Sequence, residues 1–103
     1  MTLARASQLH LPTLRDDPAE AESVNHKLLV RGGFVRQVSG GIWTFLPLGW
    51  RVHQRIVQII REEMDAIGSQ ELSAPVLTPA ELWIKSGRYE IPEVFKLEDR
   101  TGR

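Results

Sequence analysis

The side chains best equipped for chemistry in this 103-residue chain are three histidines, a pair of adjacent glutamates, several large aromatics and a set of arginines. His10, His26 and His53 are widely separated and lack the short spacing of metal sites, so each reads as a surface or packing residue rather than a ligand. His53, near Arg51, has the further option of touching a partner or a nucleotide. Glu62 and Glu63 occupy neighbouring positions that point apart on a helix, which suits a solvated face better than acid–base work. The pairs Gly32-Gly33 and Gly40-Gly41 are followed by neither a P-loop lysine nor a dinucleotide fingerprint and read as turns. Trp43, Phe45, Trp50 and Trp83 have faces on which bases stack, but the preference of large aromatics for burial assigns them to a core or a subunit seam. No nucleophile–base pair is visible. The residues therefore imply no catalytic, cofactor-binding or metal-binding set within this chain.

Composition bounds what such residues serve. The length fits one domain or a piece of one, with a modest core. Hydrophobic residues at 42% and charged residues at 25% indicate a folded chain rather than a disordered one. Zero net charge gives no overall attraction to nucleic acid or membrane, although most cations are arginines, whose planar fork suits carboxylates, phosphates and subunit contacts. There is no cysteine, no signal-peptide run and no stretch approaching a membrane span, so we expect a cytoplasmic protein with no membrane partner.

The elements that position these residues centre on 46–75. Leu46-Pro47-Leu48-Gly49 opens a long helix in which Val52, Ile56, Ile59, Ile60, Met64 and Ile67 recur three or four apart on one stripe. Gly68 ends it, Glu71-Leu72-Ser73-Ala74 reads as a short strand, and Pro75 closes that strand. Before this centre, residues 1–15 read as an extended arm with Leu9, Leu11 and Leu14 around Pro12. Asp17-Pro18 with Glu20 predicts the start of a helix bearing Val24, Leu28 and Leu29, stopped by Gly32-Gly33. Phe34 to Val38 reads as a strand or a short helix. Ser39-Gly40-Gly41 reads as a tight turn, and Ile42 to Leu46 as a strand covered on both faces. Downstream, Thr78-Pro79-Ala80-Glu81 predicts a capped short helix containing Leu82 and Trp83 and ended by Ser86-Gly87-Arg88. Residues 95–98 read as one more strand, and 99–102 as a hairpin turn whose partner strand is due beyond Arg103. That unpaired edge points to the front of a larger domain, with a disordered tail as the alternative.

The succession from Gly40 to Gly49, the long helix, the strand ending at Pro75, and Leu82-Trp83 with Ser86-Gly87-Arg88 resembles the start of a class II aminoacyl-tRNA synthetase catalytic domain. The order and spacing of Asp17 to Glu22, the Ser-Gly-Gly turn and Leu-Pro-Leu-Gly make it similar to the bacterial-type prolyl-tRNA synthetases over nearly the whole chain. The implied fold is α/β (α+β): an antiparallel sheet backed by the motif 1 helix, with residues 1–103 the N-terminal part of the catalytic domain and motif 1 at about 46–75.

In that family motif 1 forms much of the homodimer interface, which implies a seam role for Val52, Ile56, Ile60, Met64 and Pro75. The resemblance further implies a parent enzyme that activates proline with ATP and magnesium and passes it to tRNA(Pro). The family's motif 2 arginine, amino-acid-binding loop and motif 3 arginine are not in this sequence, so the isolated chain is expected to hold no cofactor and to be inactive. Arg88 is a substrate-side candidate, although one arginine does not replace that constellation. Three other readings compete: a non-catalytic synthetase-like dimerisation or regulatory protein, a fragment of a threonyl-type synthetase, and an RNA-binding module using Arg31, Arg36, Arg51 and Arg55.

Overall fold

A computed structural model describes residues 3–102, so the first two residues of the expected arm and Arg103 lie outside the described residues. The described order is α1 (Val24–Arg31), β1 (Val35–Ser39), β2 (Ile42–Phe45), α2 (Pro47–Ala66) and α3 (Ala80–Lys85), an α+β arrangement with a two-stranded antiparallel sheet. The chain divides into two compact units, residues 1–71 and 72–103.

In the first unit, α1 starts six residues later than the Asp17 pattern predicts, with Ser23 rather than Asp17 at the cap position. The Ser23 hydroxyl accepts from the His26 amide at 3.4 Å. Pro18 instead heads a turn closed by the Ala21 amide at 3.1 Å. The Asp17 carboxylate reaches the cations at the other end of the helix, Arg31 at 3.1 Å and Lys27 at 3.7 Å, rather than orphan backbone amides. The helix ends as its glycines require: Gly33 takes φ +74°, and the Phe34 and Gly33 amides return to the Leu29 and Val30 carbonyls at 2.9 and 3.2 Å.

The arm is held by backbone and by one arginine. The Leu14 amide donates to the Arg31 carbonyl at 2.9 Å. The Arg36 guanidinium donates to the carbonyls of Val30 (2.6 Å), Val35 (3.0 Å) and Pro12, joining arm, helix end and strand. A cation at a helix C-terminus also meets the negative end of its dipole.

The stretch left open as a strand or a short helix is a strand, β1, and it pairs with β2 across the expected glycine turn as an antiparallel hairpin. Val35 pairs with Phe45, Arg36 with Thr44 and Gln37 with Trp43, with a bulge before Ser39. β2 is not covered on both faces, however. All four of its residues are exposed, because a two-stranded ribbon gives it one neighbour and α2 reaches only its end.

α2 is joined to the hairpin by a close backbone approach. The Leu46 amide donates to the Phe34 carbonyl at 2.9 Å, and Pro47 follows at the first helical turn, where its missing donor costs nothing. Gly49 sits directly over the same carbonyl: a Cβ there would lie 2.9 Å from the Phe34 carbonyl carbon and closer still to its oxygen. Only a residue without a side chain fits. The helix ends at Gly68 (φ +85°), with the Gly68 and Ser69 amides donating to Asp65 and Met64 at 2.9 and 3.1 Å.

In the second unit, α3 forms where predicted, but Thr78 does not cap it. The Thr78 hydroxyl accepts the indole N–H of Trp83 at 2.6 Å instead, and no side chain caps the helix. Gly87 (φ +70°) and the Arg88 amide, donating to the Trp83 carbonyl at 3.0 Å, end it. The strands expected at 71–74 and 95–98 are absent; both stretches lack a ladder partner among the described residues, and a strand exists only by pairing. The turn at 99–102 is present, with Gly102 at φ +77°.

The expected modest core is smaller than predicted: among the described residues only Ala21, Val30 and Leu46 are buried apolar side chains. Gly49→Ala is expected to lower the stability of the intact protein by about 1–3 kcal/mol, the usual cost of overpacking. Gly40→Ala, where a Cβ meets nothing within 4 Å, is expected to stay within about 0.5 kcal/mol. Urea unfolding of the two variants checks the contrast.

Candidate functional site: the exposed stripe of helix α2

The stripe read from the sequence lies on one side of α2 and is open. Val52, Ile56, Ile59, Ile60 and Met64 are 49%, 53%, 45%, 56% and 46% exposed. The hairpin meets the helix near its start, at Gly49 and His53, and the same apolar arc continues to Met64 with its side chains about half exposed. A contiguous apolar face of this kind is uncommon on a monomer and marks a surface built to be covered. Pro75 belongs to the second unit, in an exposed extended stretch.

At the N-terminal end of α2 the aromatics meet the hairpin. His53 stacks on Trp50 with ring centroids 5.0 Å apart and planes at 12°, and Phe45 of β2 tilts against it at 5.1 Å. Its Nδ1 is buried without a hydrogen-bond partner, which suits a packing role between helix and strand. His26 packs edge-on to Trp43 at 5.1 Å. Leu9, Phe45, Pro47, Trp50 and Arg51 border an open, mostly apolar hollow of about 450 Å³. Among the described residues, no group of three or more His, Cys, Asp or Glu is placed to hold a metal ion.

The arginines separate by their partners. Arg31 is paired with Asp17 and Arg36 with backbone carbonyls, so these cations of the RNA-binding reading are already engaged within the chain. Arg88 stands at the end of α3, its amide closing that helix. Glu62 accepts from Gln58 at 2.9 Å on the helix surface.

One contact has no signature in the sequence. Glu71, at the end of the first unit, returns to Arg61 in a two-point ion pair: Nε to Oε2 at 2.6 Å and Nη2 to Oε1 at 3.0 Å. A hydrogen bond and the opposite charge from Arg61 lower the Glu71 carboxyl below its ordinary 4.5. The same hydrogen bond and charge raise the Arg61 guanidinium above its ordinary value. A ten-residue separation across a helix end has no periodic signature.

No family model matches the chain. Among curated proteins, the proline–tRNA ligase of Moorella thermoacetica is 58% identical over 101 residues, covering 96% of this chain and 18% of that protein. In sequence, the chain is similar to the proline–tRNA ligases. That of Synechococcus sp. (strain JA-3-3Ab) is 56% identical over 104 residues, and that of Thermotoga neapolitana 52% over 101. The chain spans less than a fifth of the length of these proline–tRNA ligases, at 17–18% of each.

The lowered Glu71 value fixes a pH window. Stability from the ionised pair is fully present above the unfolded value of 4.5 and is lost as pH falls through the lower folded value. Between neutral pH and pH below 4.5, the intact protein is expected to lose more stability than its Glu71→Gln variant. Urea titrations at both pH values measure the difference.

Proposed function

We propose that this chain is part of a proline–tRNA ligase and supplies the motif 1 seam of a homodimer within a class II catalytic domain. The whole enzyme, on this reading, works in the cytoplasm, activates proline with ATP and magnesium, and transfers it to tRNA(Pro). The observation that carries the reading is the 58% identity over 96% of the chain to a protein of that name. The α+β arrangement and the absence, among the described residues, of any helix long and apolar enough to cross a membrane agree with it.

The seam role is supported by the open stripe. Each aliphatic side chain moved from water into a packed interface contributes about 1.5–3 kcal/mol when fully buried, and Val52, Ile56, Ile60 and Met64 are each about half exposed. Pro75 is assigned to the same seam as the end of the chain segment that follows the helix. ATP and magnesium are assigned on this reading to the whole enzyme, and Arg88 is a single cation. No step of the phosphate chemistry is assigned to this segment.

Capture of the intact protein with an antibody to this segment tests the reading. A mass several times 11.7 kDa, together with pyrophosphate exchange into ATP that requires proline, is expected. A mass matching this chain, or a stable heteromeric complex without exchange, favours the non-catalytic protein instead. In the intact enzyme, Ile60→Asp places an unpaired carboxylate in the seam at a cost of several kcal/mol and is expected to yield monomers in sedimentation. An unchanged dimer removes Ile60 from the seam.

A further inference from the structure

Glu62 and Glu63 are neighbours in sequence but not in setting. At about 100° per residue, Glu63 lies about 20° from Val52 and Ile56 and about 40° from Ile59 around the axis of α2, inside the apolar arc. Glu62 turns onto the polar side, where it accepts from Gln58. Arg55 stands at the edge of the arc, about 40° from Ile59 on the side away from Ile60. Glu63 and Arg55 are both exposed, and among the described residues neither side chain forms a hydrogen bond or an ion pair. A carboxylate in that place is solvated in the single chain. It loses its water when the stripe is covered, which is costly unless a cation meets it.

In a two-fold pairing one patch serves both copies, so a residue that meets a second residue is repeated as the second meeting the first. Parallel helices in register would set Glu63 against Glu63 of the other copy. Antiparallel helices do the opposite. The stripe runs from Val52 to Ile67, one residue beyond α2, so antiparallel copies overlap it fully when they cross beside Ile59 and Ile60. The midpoint of Arg55 and Glu63 falls at the same place. Because each flank of an antiparallel helix faces the same flank of its mate, crossing there brings Glu63 of each copy opposite Arg55 of the other. Within one chain the two residues are about 12 Å apart along the axis, too far to pair.

We propose that two copies of α2 pair antiparallel across a two-fold axis beside Ile59, with Arg55 of each copy meeting Glu63 of the other. The proposal rests on the homodimer reading above and adds to it the direction and register of the pairing. The ion pairs act chiefly by selection, since the parallel alternative places like charges together.

The test is the dissociation constant of the intact protein, measured by sedimentation alongside helical ellipticity. Arg55→Glu and Glu63→Arg are each expected to weaken homodimerisation about a hundredfold, because both contacts become like-charged. Mixed in equal amounts, the two variants are expected to form heterodimers near the wild-type affinity, since both contacts are then opposite in charge. Both exchanges made in one chain are expected to restore the homodimer as well, and the separation along the helix excludes repair within that chain. If a single variant loses ellipticity, the doubly exchanged chain decides. Single variants that dimerise like the wild type, or a mixture and a double exchange that recover no affinity, overturn the pairing. A wild type that stays monomeric at every concentration overturns the homodimer reading and the pairing with it.

Discussion

The carbonyl of Phe34 does two things at once: it accepts the Leu46 amide at 2.9 Å and lies beneath the bare α-carbon of Gly49. The first closes the hairpin side of the junction; the second lets the opening turn of α2 come down onto it. Leu46 is one of the few buried side chains because it sits at that point. His53, one turn further on, then has Phe45 and Trp50 at stacking distance. Without the approach at Gly49 the helix would ride higher, and the aromatic contacts would open with it.

Three helix ends repeat one solution. After α1, α2 and α3 a glycine takes a positive φ, and its own amide and the one after it fold back onto carbonyls of the last turn. That regularity explains why helix ends were legible in the sequence: Gly33, Gly68 and Gly87 carry the information locally. Helix starts were less legible. Asp17-Pro18-Ala19-Glu20 has the composition of a capping box, yet its carboxylate is drawn to Arg31 and Lys27, and Ser23 does the capping. The stretches at 71–74 and 95–98 have the composition of strands but no neighbour to pair with, and pairing is not a property of one segment.

The candidate site divides along the same line. The stripe of α2 was legible because its period is that of the helix, and its residues stand exposed together. The contact between Arg61 and Glu71 was not, because it spans a chain reversal whose path follows from the helix end rather than from either residue. The Arg36 guanidinium is similar: three carbonyls from the arm, α1 and β1 converge on it only once the fold exists. Of the aromatics read as core or seam, Trp43, Phe45 and Trp50 are not in a core: they are 36%, 47% and 48% exposed.

The junction at Gly49 has a mechanical meaning. α2 has 20 residues and rests on the hairpin only near its start, so it projects as a cantilever. From His53 to Ala66 the free span is about 20 Å, and a 10° rocking of the base would swing the far end by about 3–4 Å. A displacement of that size is most of a helical turn, enough to slide Ile60 and Met64 out of register with whatever they meet. Stiffness at a single glycine, rather than any property of the stripe itself, thus governs how accurately the far half of the helix is aimed.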